Sequence, residues 1–536
     1  MDIEKSRKSV SIQRKVKILS KLLFILVLGV VLTAAVGCAP VTKGPVLLRL
    51  SEDRAALMWE TKVQGPGKVT YGKGDVLDRE VATEPIQVKY GINKEAAFIH
   101  KVWLENLQPG RAYSYRVTSP RTPILQWFAK LGRSDEQSKI YKFRTPSADT
   151  NEVTFIVYGD SRTRPKVHRR VVEQMLDKKA DFVVHSGDLV SSGDHYEQFG
   201  PQFFAPVKGL AETVPFHIAK GNHEGNSGNF EKLLIPDGRT NSFGFDYGPV
   251  HYFCADNVSR GLTAEEQLRL IAADVGSSDA QWKFVSYHIP SLNLGGHWSA
   301  WGHPDALRIL SEAGVDFVLT GHSHQYERFR PVAPPVGSSG SYVAYVTSGG
   351  GGAPLHDVKP SLYHAQAKVI NHFCVFNING SKLTMDTFDI NGRTIDHLEV
   401  IKTNGQLNKQ YLWTAVPMAA AQHHWILART QPKKLPARPK KDQPFQVTYK
   451  LSVPALGEPA KMIFKLRCDE GTYKLPEPKT LTVPKQGGTF NVEFEVVPLT
   501  EVKVSKKPIV PALWLECHYE IGRVREHISH PIVAKP

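Results

Sequence analysis

Five short segments of the sequence carry residue types that bind metal ions, and each follows an apolar run typical of a strand. They are Gly159-Asp160-Ser161, Ser186-Gly187-Asp188-Leu189, Gly221-Asn222-His223-Glu224, Ser286-Tyr287-His288 and Gly321-His322-Ser323-His324-Gln325-Tyr326-Glu327-Arg328. Each alone is a weak signal, because a Gly-Asp pair after a strand is commonly a turn. Together they offer oxygen and nitrogen ligands that suit metals such as Fe, Zn or Mn. The sequence therefore predicts a metal site built from the ends of several strands.

The elements that must position these segments belong to an α/β domain predicted over residues 150–400. Strand-like runs such as Val153 to Tyr158 alternate with helical patterns such as Leu307, Leu310 and Ala313. This alternation is typical of layered α/β domains, and loops that follow strands commonly carry functional residues. We therefore expect the five segments to meet at one edge of the domain.

The flanking regions show the short alternating apolar runs and turn residues of all-β structure. We predict a β-sandwich over residues 41–147 and a smaller one over residues 444–536, joined to the central domain by a linker at 403–443. Cys468 and Cys517 lie in two predicted strands of the C-terminal sandwich. The sequence leaves open whether they form an intersheet disulfide or remain two buried thiols.

Composition excludes several broad classes of protein. The chain has 536 residues, of which 41% are apolar and 22% charged, as in ordinary globular proteins rather than collagenous or disordered ones. Five cysteines are too few for a disulfide-dense scaffold. The single long apolar run lies at the N-terminus, which excludes a protein with several membrane spans.

The N-terminus predicts export. Residues 1–37 combine a basic start, an uncharged apolar stretch and small residues, as in a secretory signal peptide. Ala35-Val36-Gly37-Cys38 resembles a bacterial lipobox, which would leave Cys38 lipidated and tether the protein to the membrane of the cell envelope, on its periplasmic side or the cell surface. An uncleaved signal anchor is the alternative, and both interpretations export the remaining chain.

Net charge is compatible with an anionic substrate. The predicted signal carries +5 of the formal charge of +15, so the rest of the chain remains at +10. Several of these charges cluster in the linker at Lys433, Lys434, Lys440 and Lys441, without interleaved aromatic residues. We therefore predict no specific binding of nucleic acid there.

The order and the residues of the five segments resemble those of the calcineurin-like metallophosphoesterase superfamily, and most closely those of its purple acid phosphatase branch. The glycine-rich stretch from Val346 to Ala353 fits that branch, and residues 104–117 resemble part of a fibronectin type III domain. The resemblance covers residues 41–400. It implies a central sandwich of two mixed sheets flanked by helices, preceded by a fibronectin type III-like domain, and leaves the C-terminal sandwich outside.

The resemblance also implies the roles of individual residues at a centre of two metal ions. Asp188 would bridge the metals, Asp160 and His324 would hold the first, and Asn222, His288 and His322 would hold the second. A hydroxide between the metals would then attack phosphorus in line. His223 would face the substrate and protonate the leaving oxygen or stabilise the transition state.

Two positions depart from the family pattern. Arg162 stands where the superfamily often has His, and Ser191 stands where purple acid phosphatases have Tyr. The first metal would lack a protein ligand, which water, His195 or Tyr196 could replace. Arg162 is expected either to clamp the substrate phosphate or to be a surface or supporting arginine. Without the tyrosine ligand, the holoprotein is expected to be colourless.

Three functions follow from these observations. The leading hypothesis is a metal-dependent phosphomonoesterase of the acid phosphatase type. The second is a phosphodiesterase or nucleotide hydrolase that uses the same site. The third is a surface-binding protein whose central domain is a retired enzyme.

For the loop after His288, His297 or Trp298 could contact the leaving group, although a structural role leading into the next helix is the simpler interpretation.

Overall fold

The computed structural model describes residues 41–120, 136–236, 241–297, 300–432, 439–469, 471–500 and 513–532. The predicted signal peptide at 1–37 and Cys38 lie outside the described residues. Within the described ranges, no helix has the length and apolar character needed to cross a membrane.

The N-terminal region consists of strands that form two layers. These strands are β1 (Val41–Leu50), β2 (Ala55–Thr61), β3 (Gly67–Lys73), β4 (Arg79–Thr83), β5 (Ile86–Tyr90), β6 (Glu95–Leu104), β7 (Ala112–Ser119), β8 (Glu136–Gln137) and β9 (Tyr141–Arg144). One layer contains β1, β2, β6 and β5, and the other contains β4, β3, β7, β8 and β9. Buried aromatic residues such as Trp59, Tyr113 and Tyr115 fill the space between them.

The central region alternates strands and helices. Its strands are β10 (Glu152–Tyr158), β11 (Phe182–His185), β12 (Phe216–Ile218), β13 (Phe243–Tyr247), β14 (Val250–Cys254), β15 (Trp282–Tyr287), β16 (Phe317–Thr320), β17 (Tyr326–Phe329), β18 (Val332–Ala333), β19 (Ala344–Ser348), β20 (His364–Lys368), β21 (His372–Asn379), β22 (Lys382–Asp389), β23 (Thr394–Thr403), β24 (Gln406–Leu407) and β25 (Val416–Pro417). Its α-helices are α1 (Pro165–Met175), α2 (Ala205–Val207), α3 (Asn229–Leu234), α4 (Ala264–Ser277), α5 (Asp305–Glu312), α6 (Lys409–Trp413) and α7 (Met418–Arg429). Short 3₁₀ turns lie at Leu176–Lys178, Tyr196–Gln198 and Asn222–Glu224, and a π-helical turn lies at Gly200–Phe204.

The central domain is a sandwich of two mixed sheets, as predicted. One sheet has the strand order β24-β23-β22-β21-β10-β11-β12-β1-β2-β6-β5, and the other has the order β13-β14-β15-β16-β19-β17-β20. Aromatic rings join the two inner faces: Phe155 stacks on Phe376 at 4.8 Å and meets Phe284 edge-on at 5.0 Å. Helix α1 packs on the outside of the first sheet, and α4 and α5 pack on the outside of the second.

The N-terminal layer continues into the central sheet through one strand pair. Strand β1 lies parallel to β12, with Leu48 opposite Phe216. The Leu47 N–H also donates to the Ala211 carbonyl at 2.8 Å. The two regions that sequence analysis separates at residues 147–150 therefore share a continuous sheet.

The C-terminal sandwich contains β26 (Phe445–Val453), β27 (Ala460–Cys468), β28 (Tyr473–Lys474), β29 (Lys479–Val483), β30 (Gly488–Pro498), β31 (Leu513–Ile521) and β32 (Val524–Pro531). Strands β27 and β31 are neighbours in one sheet, where Cys468 lies opposite Leu513 and Cys517 lies opposite Phe464. The two cysteines are thus four positions apart along the same strand pair, and both are free thiols. The intersheet disulfide that the sequence left open is not formed.

The segment predicted as a linker, 403–443, instead contains helix α7. Most of this helix is buried, including Ala420 and Leu427. A helix buried on most sides lacks the amphipathic stripe that reveals a surface helix, which explains why the pattern was missed. His424 Nδ1 lies 2.6 Å from the Tyr519 hydroxyl, and Gln422 donates to the Pro304 carbonyl at 3.2 Å. Helix α7 therefore docks the C-terminal sandwich on the central domain.

His251 of β14 provides a pH-dependent contribution to stability. Its ring nitrogens each lie 2.8 Å from a carboxylate oxygen, one on Asp246 and one on Asp274. Burial by itself lowers the pKa of His251, but the two carboxylates outweigh burial and raise it from 6.5 to about 9. Because the folded pKa is the higher one, this stabilisation is complete below the unfolded pKa and is lost as pH rises through about 9.

We expect His251→Gln to lower the melting temperature by roughly 2–4 °C in weakly acidic buffer and by much less in buffer above the folded pKa. Differential scanning fluorimetry at the two pH values measures this. His397→Gln is the control, because His397 faces Asp386 at 2.7 Å but is more than half exposed. An equal loss at both pH values for His251→Gln would contradict the role of its charge.

Candidate metal centre

The predicted ligands lie where parallel strands of both sheets end. Strands β10, β11 and β12 run parallel in one sheet, and β15 and β16 run parallel in the other. The carboxyl ends of parallel strands lie at the same edge of a sheet, which is where open α/β sheets build sites. The six predicted ligand residues follow these five strands and are linked by contacts: Asp160, Asp188, Asn222, His288, His322 and His324.

Three of these residues have left-handed backbone conformations. The φ angles are 55° at Asp160, 60° at Asp188 and 67° at His322. Such angles are uncommon outside glycine and store strain that the surrounding structure must hold. The Asp160 N–H donates to the Gly187 carbonyl at 2.9 Å, and the His322 N–H donates to Asp160 Oδ2 at 2.9 Å. These bonds hold the strained loops against one another.

One half of the centre groups Asp188, Asn222, His288 and His322. His288 Nε2 lies 3.3 Å from Asp188 Oδ1 and 3.0 Å from Asn222 Oδ1. His322 Nδ1 lies 2.8 Å from the same Asn222 oxygen. The ligand atoms of Asp160, Asp188 and His288 all lie within 4.8 Å of one another, and the three residues are buried.

The hydrogen bonds of His288 test whether this half fits a cation. Its Nδ1 donates to the Ser186 carbonyl at 2.8 Å, so in the uncharged ring Nε2 carries a lone pair. That lone pair faces Asn222 Oδ1 and an oxygen of Asp188, which also accept. Acceptors that converge in this way suit a metal ion. The hydrogen bond from Nδ1 to the Ser186 carbonyl holds the ring so that Nε2 faces the position of such an ion.

The other half contains Asp160, His324 and the unexpected Arg162. His324 Nε2 lies 3.5 Å from Asp160 Oδ1. The Arg162 Nε donates to Asp188 Oδ2 at 3.2 Å, and Nη2 lies 3.3 Å from His324 Nε2. The Arg162 side chain is only 13% exposed. It is therefore not a surface arginine, because its guanidinium lies among the predicted ligands of the first metal.

Neither group expected to replace the absent ligand reaches the centre. The Tyr196 hydroxyl donates to Glu60, on the N-terminal side of the domain. His195 is 60% exposed, and its Nδ1 lies 3.4 Å from Glu197. Ser191, at the position of the family tyrosine, bonds Thr163 and Gln202 at 3.1 and 3.0 Å. The expectation of a colourless holoprotein remains a prediction.

His223 and His297 lie at the open side of the centre. His223 Nδ1 donates to the Ser191 carbonyl at 2.7 Å, which leaves Nε2 3.9 Å from Asp188 Oδ2 on a side chain that is 33% exposed. The exposed His297 ring lies 4.9 Å from the His322 ring, between centroids. Trp298 lies outside the described residues. Both imidazoles are thus more exposed than the buried ligand residues Asp160, Asp188 and His288.

Three supporting residues were missed by sequence analysis. Glu224 accepts the N–H groups of Asp188, Leu189 and Gly221 at 2.9, 2.8 and 2.7 Å, which ties two ligand loops together. Asn257 Oδ1 accepts the N–H of His288 at 3.1 Å.

His356 is the third supporting residue, and its ring stacks on the His324 ring with 4.0 Å between the centroids. It also accepts the N–H of His324 at 3.1 Å. Glu224 belongs to the predicted metal-binding segment Gly221-Asn222-His223-Glu224, so the sequence offered a signal for it. No motif or spacing in the sequence pointed to Asn257 or His356.

Electrostatics favour the ligand forms of Asp188, His322 and His324, whereas burial opposes the carboxylate form of Asp160. Burial raises the pKa of Asp160 well above its ordinary value. Burial acts in the same direction on Asp188, but the neighbouring His288 and His223 outweigh it and lower the pKa of Asp188. Burial lowers the pKa of His322 to about 3 and that of His324 to about 4. At neutral pH both imidazoles are uncharged, as metal ligands must be.

We expect Asp188→Asn to weaken metal binding by at least about 100-fold, because it removes the charge that both halves of the centre contact. Elemental analysis and calorimetric titration of purified protein measure this. Asp305→Asn, an exposed position on α5, should bind metal like the wild type. Unchanged affinity in a folded Asp188→Asn protein would contradict the assignment.

Comparisons with known proteins agree with this architecture. Residues 153–326 match the calcineurin-like phosphoesterase family, and residues 46–145 match the purple acid phosphatase N-terminal domain. The structure of purple acid phosphatase PPD1 from yellow lupin (Lupinus luteus) has a TM-score of 0.56 at 19% identity, covering 67% of this chain and 74% of the lupin chain. The shared fold therefore includes the N-terminal and central regions described above.

Curated relatives belong to the same group of proteins. Purple acid phosphatase 21 of Arabidopsis thaliana is 27% identical over 347 residues, covering 57% of this chain and 73% of the relative. A second Arabidopsis protein, named "Probable inactive purple acid phosphatase 1", is 26% identical over 329 residues, and this chain spans 52% of its length. The family prediction is confirmed at the level of domains: the chain contains a calcineurin-like phosphoesterase domain at residues 153–326 and a purple acid phosphatase N-terminal domain at residues 46–145.

Proposed function

We propose that this chain hydrolyses phosphate monoesters at the centre described above. The observation that carries the proposal is the convergence of Asp188, Asn222 and His288 as acceptors around one point, with His223 beside it at the open side. A metal ion bound there would act as a Lewis acid that activates water and neutralises phosphate oxygens. The mixed oxygen and nitrogen donors suit Fe, Zn or Mn.

His223 is proposed as the proton donor to the leaving oxygen. Its Nδ1–H bond to the Ser191 carbonyl fixes the ring, and its backbone N–H donates to Asp188 Oδ1 at 2.9 Å. Nε2 is then the atom free to carry a proton to the leaving group. A positioned histidine of this kind typically contributes about 10²–10⁴-fold to rate.

The positive groups at the opening favour a substrate with much negative charge. Arg162 contributes a positive charge, and the His223 and His297 rings lie beside the centre at its open side. A phosphate monoester dianion gains more from such groups than a diester monoanion does. The +10 charge outside the predicted signal acts in the same direction. Hydrolysis of phosphodiesters or nucleotides at the same site is the second candidate, because the ligand set selects the reaction rather than the ester.

A retired enzyme domain is the third candidate, since some relatives have "inactive" in their names. The presence of all six predicted ligand residues in contact with one another supports an active enzyme instead.

We also propose that the protein acts in the bacterial cell envelope, tethered through Cys38. This location rests on residues 1–37 alone, and the mass of the mature N-terminal peptide tests it.

A comparison of a phosphate monoester with the corresponding diester tests the proposed reaction. We expect metal-loaded protein to hydrolyse p-nitrophenyl phosphate with a kcat/KM at least about 10-fold above that for bis-p-nitrophenyl phosphate, a difference of about 1.4 kcal/mol in transition-state stabilisation. The reverse preference would select the diesterase candidate. No turnover of either ester by fully metal-loaded protein would select the binding protein.

In the same assay, His223→Asn should lower kcat by about 10²–10⁴-fold while bound metal is unchanged. Asn is chosen because its amide can still donate to the Ser191 carbonyl. His195→Asn is the matched control, since it makes the same substitution at a histidine that is 60% exposed and lies beside Glu197 instead of the centre. A His223→Asn protein as active as the His195→Asn protein would exclude His223 from the chemistry.

A further inference from the structure

We infer that the guanidinium of Arg162 takes the place of the first metal ion, so that the centre holds one metal beside one fixed organic cation. The metal would be bound by Asp188, Asn222, His288 and His322. The inference rests on the proposed function, because it concerns the same centre, and it changes the number of metals that the family resemblance implies.

The two halves of the centre differ in their hydrogen-bond chemistry. Around His288 Nε2, the neighbouring polar atoms are acceptors, so a cation is needed to complete that half. His324 also donates through Nδ1, to the Pro354 carbonyl at 2.7 Å, which leaves a lone pair on Nε2. That lone pair faces an N–H of Arg162 at 3.3 Å. The second half is therefore already complete.

Hydrogen bonds hold both the backbone and the side chain of Arg162 in this place. Its backbone N–H donates to the Asp188 carbonyl at 3.3 Å. All three guanidinium nitrogens are engaged: Nε with Asp188 Oδ2, Nη1 with Thr163 Oγ1 at 3.3 Å, and Nη2 with His324. An arginine that swings in only to clamp a substrate would not need partners within the ligand set.

Charge and competition both act against a second metal. The guanidinium is a cation, and it contacts Asp188 Oδ2 and His324 Nε2, two atoms that a first metal would need. A metal entering there would have to displace Arg162 and then lie beside its buried positive charge. A metal that entered without displacing Arg162 would have only Asp160 left as a predicted protein ligand, which is too few.

With Arg162 in place of the first metal ion, the centre still has a cation at that position that can bind the phosphate. A guanidinium has five N–H donors, of which three are engaged with Asp188, Thr163 and His324. The remaining two can bind phosphate oxygens and offset the charge that develops on them. Arg162 would thus bind the substrate from the position where the second cation of a binuclear centre lies.

Metal stoichiometry tests the inference directly. Full-length protein is stripped with chelator, incubated with excess Mn²⁺, freed of loosely bound ions and analysed for metal. We expect the wild type to retain about one equivalent and Arg162→His, which restores the common superfamily residue, to retain about two. Electron paramagnetic resonance gives a second readout: an isolated Mn²⁺ signal in the wild type and a spin-coupled pair in Arg162→His.

Two further variants separate competition from charge. Arg162→Gln frees the same ligand atoms without adding one, and should show a second, weaker binding phase in calorimetric titration. Arg164→Gln removes a positive charge from the same loop, but Arg164 donates to the carbonyls of Gly352 and Ala353 rather than to the ligands. It should retain one equivalent, like the wild type.

Two equivalents and a coupled signal in the wild type would overturn the inference. So would a second equivalent in Arg164→Gln, because long-range charge would then suffice to explain the stoichiometry. One equivalent in a folded Arg162→His protein would also contradict it. These measurements involve no turnover, so an inactive protein with one bound metal would refute the proposed function while leaving this inference in place.

Discussion

The centre depends on one buried carboxylate that is surrounded by positive and polar groups from several loops. Asp188 contacts His288 from one sheet, Arg162 from the loop after β10 and the backbone of His223 from the loop after β12. Glu224 holds the Asp188 backbone in turn. A desolvated carboxylate is costly unless such partners compensate it. The same partners are therefore the ones that sequence and fold must bring together.

The fold meets this requirement through the parallel strands of two facing sheets. Each ligand loop leaves a strand whose last three residues are buried, so the loop starts from a rigid point. The strain at Asp160, Asp188 and His322 indicates that the loops are shaped for the site rather than for ease of turning. Helix α7 and the C-terminal sandwich add a further layer behind this region, since Tyr363 and Tyr519 share a hydrogen bond of 3.0 Å.

Sequence predicted the part of this structure that depends on local order along the chain. The ligands follow strand-like runs at recognisable spacing, so their convergence and the layered fold could be anticipated. The contacts of Arg162 could not, because an arginine side chain can reach in many directions and only packing selects one. Helix α7 was missed because burial on most sides removes periodicity. The continuous sheet across β1 and β12 joins distant parts of the chain, which no local pattern encodes.

That continuous sheet has a consequence for how the protein can be divided. Strand β12 is fully buried between β11 and β1. A fragment starting at residue 150 would expose the backbone of β12 as an unpaired edge, and such edges invite aggregation with other chains. The N-terminal strands thus cover this edge of the central sheet, and a fragment that keeps β12 paired on both sides begins at β1.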